Sequence, residues 1–118
     1  MSATNLKRTL DSSKELEITV TGRKTGKKIT LPTWFVKDGG KLLFLPVQGS
    51  ETNWYRNIKH SPTMGISVGG TSITVKARPT GSTERARVVA EKFRAKYGAP
   101  DVKKYYAKFD ASVEVALP

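Results

Sequence analysis

Period-two stretches of apolar residues, broken by glycine-bearing turns, constrain this chain more than any other feature. Leu16, Ile18 and Val20 alternate with Glu17 and Thr19, the pattern of a half-buried strand. Ile73, Val75 and Ala77 alternate with Thr74, Lys76 and Arg78, and Val113, Val115 and Leu117 repeat the pattern near the end. Between such segments stand Gly22 and Gly26, the run Lys37-Asp38-Gly39-Gly40-Lys41, and Gly69-Gly70. Asp-Gly readily supplies the positive φ angles of a tight hairpin. Antiparallel hairpins therefore dominate. A doubly wound parallel sheet, which needs strict strand–helix alternation, does not fit.

The remaining segments complete an order of β-β-β-α-β-β-α-α-β. Ile29 to Val36 reads as the second strand, and Pro32, which has no N–H to donate, places it at an edge or a bulge. Leu42-Leu43-Phe44-Leu45 is apolar on both faces, as a strand covered on both sides requires, and Pro46 ends its pairing. A short helix runs through Asn53 to Ile58, with Ser50 or Thr52 as its cap. Met64 to Val68 and Ser72 to Arg78 form a further hairpin. Ser82 or Thr83 opens a longer helix to about Tyr97, whose inward stripe is Ala86, Val89, Ala90, Phe93 and Tyr97; Gly98-Ala99-Pro100 stops it. A second short helix carries Tyr105 and Tyr106. Residues 1–14 read as a short helix or arm, with Leu6 and Leu10 at i,i+4 spacing. The fold class is mainly β with helices (α+β), a small barrel. At 118 residues one hydrophobic core is expected, so residues 1–118 form one domain.

The composition removes several chemistries. With one histidine and no cysteine there is no metal-ligand set, thiolate or disulfide framework. A Ser-His-Asp triad would have to run through His60, which precedes Ser61-Pro62 and reads as a solvated turn residue. No glycine cluster has the spacing of a P-loop or a dinucleotide fingerprint. An enzyme built on this chain takes its reactive atom from a bound cofactor. No stretch approaches the ~20 apolar residues that span a bilayer, and the N-terminal MSATNLKRTLDSSKE lacks the apolar run of a secretory signal. Cytoplasm is the expected compartment. The net charge of +11 attracts polyanions: a phosphate- and carboxylate-bearing ligand, nucleic acid or an anionic membrane surface.

Two clusters localise the chemistry. Arg23, Lys24, Lys27 and Lys28 flank a glycine-bracketed turn with Thr25, where backbone N–H groups, a hydroxyl and cations converge as in phosphate capture; a solvated basic hairpin tip has the same spacing. Asn53-Trp54-Tyr55-Arg56-Asn57 concentrates aromatic, amide and guanidinium groups on a helix, with Trp54 and Asn57 on one face and Tyr55 and Arg56 elsewhere. Such a helix wraps a planar ligand or plugs a barrel mouth.

Thr21-Gly22-Arg23-Lys24-Thr25-Gly26, then Pro32 and Trp34, Asp38-Gly39, Trp54-Tyr55-Arg56-Asn57 and Ser61-Pro62 together resemble the deazaflavin (F420)-dependent nitroreductase and quinone reductase family. The resemblance is closest over residues 16–80 and looser toward Pro118. It implies a split β-barrel related to the FMN-binding pyridoxamine-phosphate oxidases, in which reduced F420 passes hydride to a quinone, nitro compound or enone. It further implies that Arg23, Lys24 and Thr25 hold the coenzyme's phosphodiester and acidic oligoglutamate tail. By the same resemblance Ile29, Thr30, Leu31, Pro32, Thr33 and Trp34 line its path, Leu45, Pro46, Val47 and Gln48 border the ring system, and Asn53, Trp54, Tyr55, Arg56 and Asn57 close over it. Tyr97, Tyr105 and Tyr106 are candidate proton donors, with Tyr105 preferred. The implied partners are a small-molecule acceptor and, as in other split barrels, a second copy of the chain; peripheral contact with an anionic membrane stays open. FMN or another flavin-like ligand is the alternative cofactor. A nucleic-acid-binding barrel using Lys76, Arg78, Trp34 and Tyr55 is the alternative from another class; the favoured reading expects no nucleic acid.

Overall fold

The computed structural model describes residues 3–118, with side chains from Leu6 onward. Helix α1 (Ala3–Asp11) leads into strands β1 (Glu15–Thr21), β2 (Lys28–Trp34), β3 (Val36–Asp38) and β4 (Lys41–Phe44). A 3-10 turn (Gly49–Glu51) and α2 (Asn53–His60) precede the hairpin of β5 (Thr63–Val68) and β6 (Thr71–Thr80). Helices α3 (Thr83–Tyr97) and α4 (Ala99–Tyr105) then lead to β7 (Ser112–Ala116).

All seven strands join one antiparallel sheet in the order β2-β1-β5-β6-β7-β4-β3. Its two edges, β2 and β3, are consecutive in the chain and separated only by Phe35. The sheet therefore has to curl until its ends meet. The opposite corner lies in β6, where Thr71–Lys76 pairs with β5 while Ala77–Thr80 pairs with β7. The result is the split β-barrel expected from the sequence.

Alternation places the core. Leu16, Ile18 and Val20 of β1, Met64, Ile66 and Val68 of β5, and Leu42 and Phe44 of β4 fill the barrel, and α1 lowers Leu6 and Leu10 into it. A second apolar layer lies outside, where Leu43 and Leu45 meet Ala86, Val89, Ala90 and Phe93 of α3 and Val102 of α4. β4 is thus apolar on both faces because both are covered. Ser82 caps α3 by accepting a hydrogen bond from the Arg85 N–H at 3.1 Å. Pro32 sits on an edge strand, bonded on one side only, to β1.

Two expectations need correction. The second strand does not run unbroken to Val36: it stops at Trp34 and resumes as β3. The cause is that side chains take the backbone groups of Phe35. Its N–H donates to the Tyr97 hydroxyl at 3.0 Å, and its carbonyl accepts from Lys96 Nζ at 2.9 Å, so neither feeds a ladder. The Tyr97 hydroxyl in turn lies 2.7 Å from the Phe35 carbonyl and 2.6 Å from that of Lys14, sharing its one proton between them. Thr52 occupies the N-cap position of α2 without capping it, because its Oγ1 accepts from the Gln48 N–H at 2.8 Å. Ser50 turns to Asp110 instead.

Tyr97→Phe strips the hydroxyl from this junction and strands the Phe35 N–H; stability by urea unfolding is expected to fall by about 1–3 kcal/mol. Burial pushes the Tyr97 pKa from 10.0 up to about 12, with the Glu15 charge acting in the same direction. A raised folded-state value favours the protonated form. Its stabilising contribution is complete below pH 10 and is lost as the pH climbs toward 12. Over that window wild type should lose more stability than Tyr97→Phe does.

Candidate active site

The exposed edge of β2 forms one wall of a continuous groove. The turn after β4 and the face of α2 form the other. Three adjoining cavities make it up. The first, of about 440 Å³, is lined by Glu15, Pro32, Thr33, Trp34 and Tyr105, with Tyr106 at its base. It shares Leu31, Val47 and Trp54 with a middle cavity of about 490 Å³. That in turn shares Ile29, Asn53 and Asn57 with a third of about 280 Å³, bounded by Gly22, Arg23, Lys24 and Thr25. The groove is aromatic at one end and cationic at the other.

At the cationic end the β1–β2 turn is closed by two hydrogen bonds of 2.8 Å, Gly22 N–H to the Lys27 carbonyl and Gly26 N–H to the Gly22 carbonyl. Arg23 is locked to α2. Its N–H and its Nη1 both donate to Asn57 Oδ1, at 3.1 and 2.8 Å, and Nη1 also reaches the Asn53 carbonyl at 3.5 Å. Asn57 is 4% exposed, its two bonds to Arg23 are part-buried, and two donors on one oxygen fix which way its amide points. Lys28 donates to Thr21 Oγ1. Among the described residues no carboxylate pairs with Arg23, Lys24, Lys27 or Lys28; Asp11, Asp38, Glu51, Glu91, Asp110 and Glu114 pair with cations elsewhere. Their charge is free to meet an anion.

At the aromatic end Trp34 stacks on Tyr97, ring centroids 4.1 Å apart and 10° from parallel, and meets the Tyr105 edge at 5.5 Å. Tyr105 is 52% exposed, whereas Tyr106 is 5% exposed and burial pushes its pKa well up. Tyr97 is bound to backbone carbonyls and Tyr106 is buried, so Tyr105 is the one of the three candidate tyrosines that lines this cavity with its side chain exposed.

Not every residue singled out from the sequence lines this groove. Thr30 points away, bonded to Thr19 Oγ1 at 2.8 Å across β1 and β2. Leu45 lies in the outer apolar layer under α3, and Pro46 is buried in the turn. Tyr55, 1% exposed, belongs to the barrel core, because a helix seated on a barrel buries one face as it presents another. Arg56 is solvent-exposed. Glu15, Val20, Glu51 and Thr52 line the groove without having been anticipated, and Tyr106, one of the candidate donors, lines it as well. Glu15 lies directly opposite Trp34 in the β1–β2 register, so hairpin register alone would have found it. No group of three or more His, Cys, Asp or Glu that could hold a metal ion occurs among the described residues.

Known proteins give this groove its setting. The family model for F420H(2)-dependent quinone reductase matches residues 2–117. The chain belongs to that family. It is therefore an oxidoreductase, an F420H2-dependent reductase, and the groove's residues fit the coenzyme: unpaired cations at one end suit an anionic tail, and aromatic walls at the other suit a planar ring. Among solved structures, an F420-H2-dependent reductase (FDR-A) is 23% identical over 86% of this chain and 93% of its own, with a TM-score of 0.65. A chain described as a domain-swapped dimer is 22% identical over 97% and 99%, TM-score 0.65. HutZ, the heme storage protein from Vibrio cholerae, is 13% identical over 98% and 88%, TM-score 0.71. At these identities the likeness establishes the shared barrel. No helix among the described residues is long and apolar enough to cross a membrane.

Because the Arg23 clamp rests on one buried oxygen, Asn57→Ala is expected to lower stability by about 1–3 kcal/mol in urea unfolding. Arg56→Ala, one position away and outside the groove, should stay within about 0.5 kcal/mol of wild type.

Proposed function

We propose that the groove holds F420 with its phosphodiester and oligoglutamate tail against Arg23, Lys24 and Thr25 and its ring system between Trp34, Val47 and Trp54. In this reading the protein passes hydride to a small planar acceptor (a quinone, nitro compound or enone) entering at the Tyr105 end. The observation that carries it is a turn of carboxylate-free cations joined by one groove to an aromatic chamber.

When bound in its reduced form the coenzyme supplies hydride, an obligate two-electron donor. The chain's own residues do the rest. Arg23, pre-oriented by Asn57, forms charge-assisted hydrogen bonds to the tail without first having to order its side chain. Ile29, Leu31 and Trp54 exclude water along the middle of the groove. Trp34, immobilised on Tyr97, presents a fixed flat wall to the acceptor, and alignment of this kind lowers the entropic part of the barrier. The Tyr105 hydroxyl donates a hydrogen bond to the acceptor oxygen as negative charge develops there. Cytoplasmic action and pairing of two copies, the latter in keeping with a similar structure described as a domain-swapped dimer, belong to the same proposal.

Trp34 and Trp54 both line the first cavity, so their fluorescence reports occupancy. Parallel titrations with oxidised F420 and with FMN are expected to show quenching at lower concentration for F420. The Arg23→Ala, Lys24→Ala double variant should weaken F420 binding by about tenfold or more, and less so as salt is raised. Unchanged affinity would remove the tail assignment. Turnover with a quinone, a nitroaromatic and an enone then ranks the acceptors, and Tyr105→Phe should lower kcat while leaving the F420 quench in place.

A further inference from the structure

Residues 46–52, the turn from β4 to α2, bring Val47, Gln48, Glu51 and Thr52 to the groove wall facing Ile29 and Leu31. No residue of this turn belongs to either apolar cluster. Pro46, Gly49 and Thr52 are buried, but the groove-facing Val47, Gln48 and Glu51 are exposed, so core packing does not hold these three in place. Polar ties do, and they come from the segment after α4, distant in sequence. The Ala107 N–H donates to the Val47 carbonyl at 2.9 Å, and Gln48 and Lys108 form an isolated parallel bridge. The strongest tie is Asp110. Its Oδ1 accepts from the Ser50 N–H at 2.8 Å and its Oδ2 from the Ser50 hydroxyl at 2.7 Å, so both carboxylate oxygens grip one residue in a single geometry. Lys108 Nζ stands 3.6 Å from Asp110 and 4.0 Å from Glu51, adding charge to the same junction.

Gly49 shows how closely the parts are fitted. It is buried at φ +57°, in the left-handed region, and a Cβ there would run into the Asp110 carboxylate. The Ser50 hydrogen bonds hold the Asp110 carboxyl below the usual carboxylate range, so it stays ionised in its junction at neutral pH. Asp110 itself lines no part of the groove.

We infer that Asp110 is a positioning residue for coenzyme binding, acting through Ser50 to hold the groove wall that carries Val47 and Gln48. This rests on the groove being the F420 site. Because the turn contributes nothing to the apolar clusters, releasing it moves the wall while leaving the barrel folded. The loss falls on coenzyme affinity. The chemical step, once the groove is filled, is spared.

The test is tryptophan-quench titration with oxidised F420, run beside steady-state kinetics with reduced F420 varied at saturating acceptor, on wild type, Asp110→Ala, Ser50→Ala, the double variant and Asp110→Asn; the quench midpoint is expected to shift in step with KM. Asp110→Ala is expected to raise KM for reduced F420 about tenfold, with kcat at saturation within about twofold of wild type. Ser50→Ala should move KM the same way. The double variant should be no worse than Asp110→Ala, since both substitutions cut one link. Asp110→Asn keeps an acceptor for the Ser50 N–H and should recover part of the affinity. Folded variants with wild-type KM, or additive effects in the double, overturn the inference; if Asp110→Ala does not fold, Ser50→Ala with unchanged KM overturns it alone. Failure of wild type itself to quench with F420 is a different result and removes the groove assignment instead.

Discussion

Two side chains of α3 hold the backbone of Phe35: Tyr97 engages its N–H and carbonyl, and Lys96 donates to the same carbonyl. The architecture depends on this junction because Phe35 alone separates the two edge strands of the sheet. An extended residue there would carry β2 straight into β3 and keep the sheet open. With its polar groups taken by α3, and its ring fully buried in the barrel, Phe35 turns the chain so that β2 pairs back on β1 while β3 pairs on β4. The same tyrosine stacks on Trp34, the residue just before the corner. Closure of the barrel and placement of the groove's aromatic wall are thus one event.

Charge is partitioned as deliberately as shape. Glu114 gathers Lys41 and Arg85, Asp38 takes Lys92 and Asp11 takes Lys37, all away from the β1–β2 turn. In a protein of net charge +11 the turn is left with no carboxylate of its own. Exposed ion pairs contribute little to stability, so withholding one there costs the fold almost nothing. What the turn does receive is a neutral partner. Asn57 orients Arg23 without cancelling its charge, so much of the entropy of ordering that side chain is lost on folding and need not be lost again when an anion arrives. A similar barrel appears in a heme storage protein, so the scaffold by itself does not select a ligand.

Much of the fold was legible because it depends on local rules. Alternation in β1, β5, β6 and β7 marked inward faces, and Leu42 to Leu45 announced a strand covered twice. The cationic turn and the Trp54–Asn57 face were visible as clusters, and the structure does bring them to one groove. Less legible were the contacts that join distant segments. Tyr97 looked like the last rung of a helical stripe, yet its hydroxyl reaches Lys14 and Phe35, far away in the chain. Nothing in the local sequence marks Asp110 as the partner of Ser50, 60 residues away. Tyr55 and Arg56 shared a motif with Trp54 and Asn57, but one is buried and the other faces solvent, because a helix distributes neighbours around its axis.

What the residue order determined by itself was a set of antiparallel strands, their turns, their buried faces and a strongly basic hairpin, all governed by φ/ψ preference, period and composition within a few residues. Only the tertiary structure decided where the sheet closes, which acids stay away from the turn, and which residues become the two walls of the groove. Those outcomes are set by hydrogen bonds across tens of residues, whose partners become neighbours only after the barrel has curled.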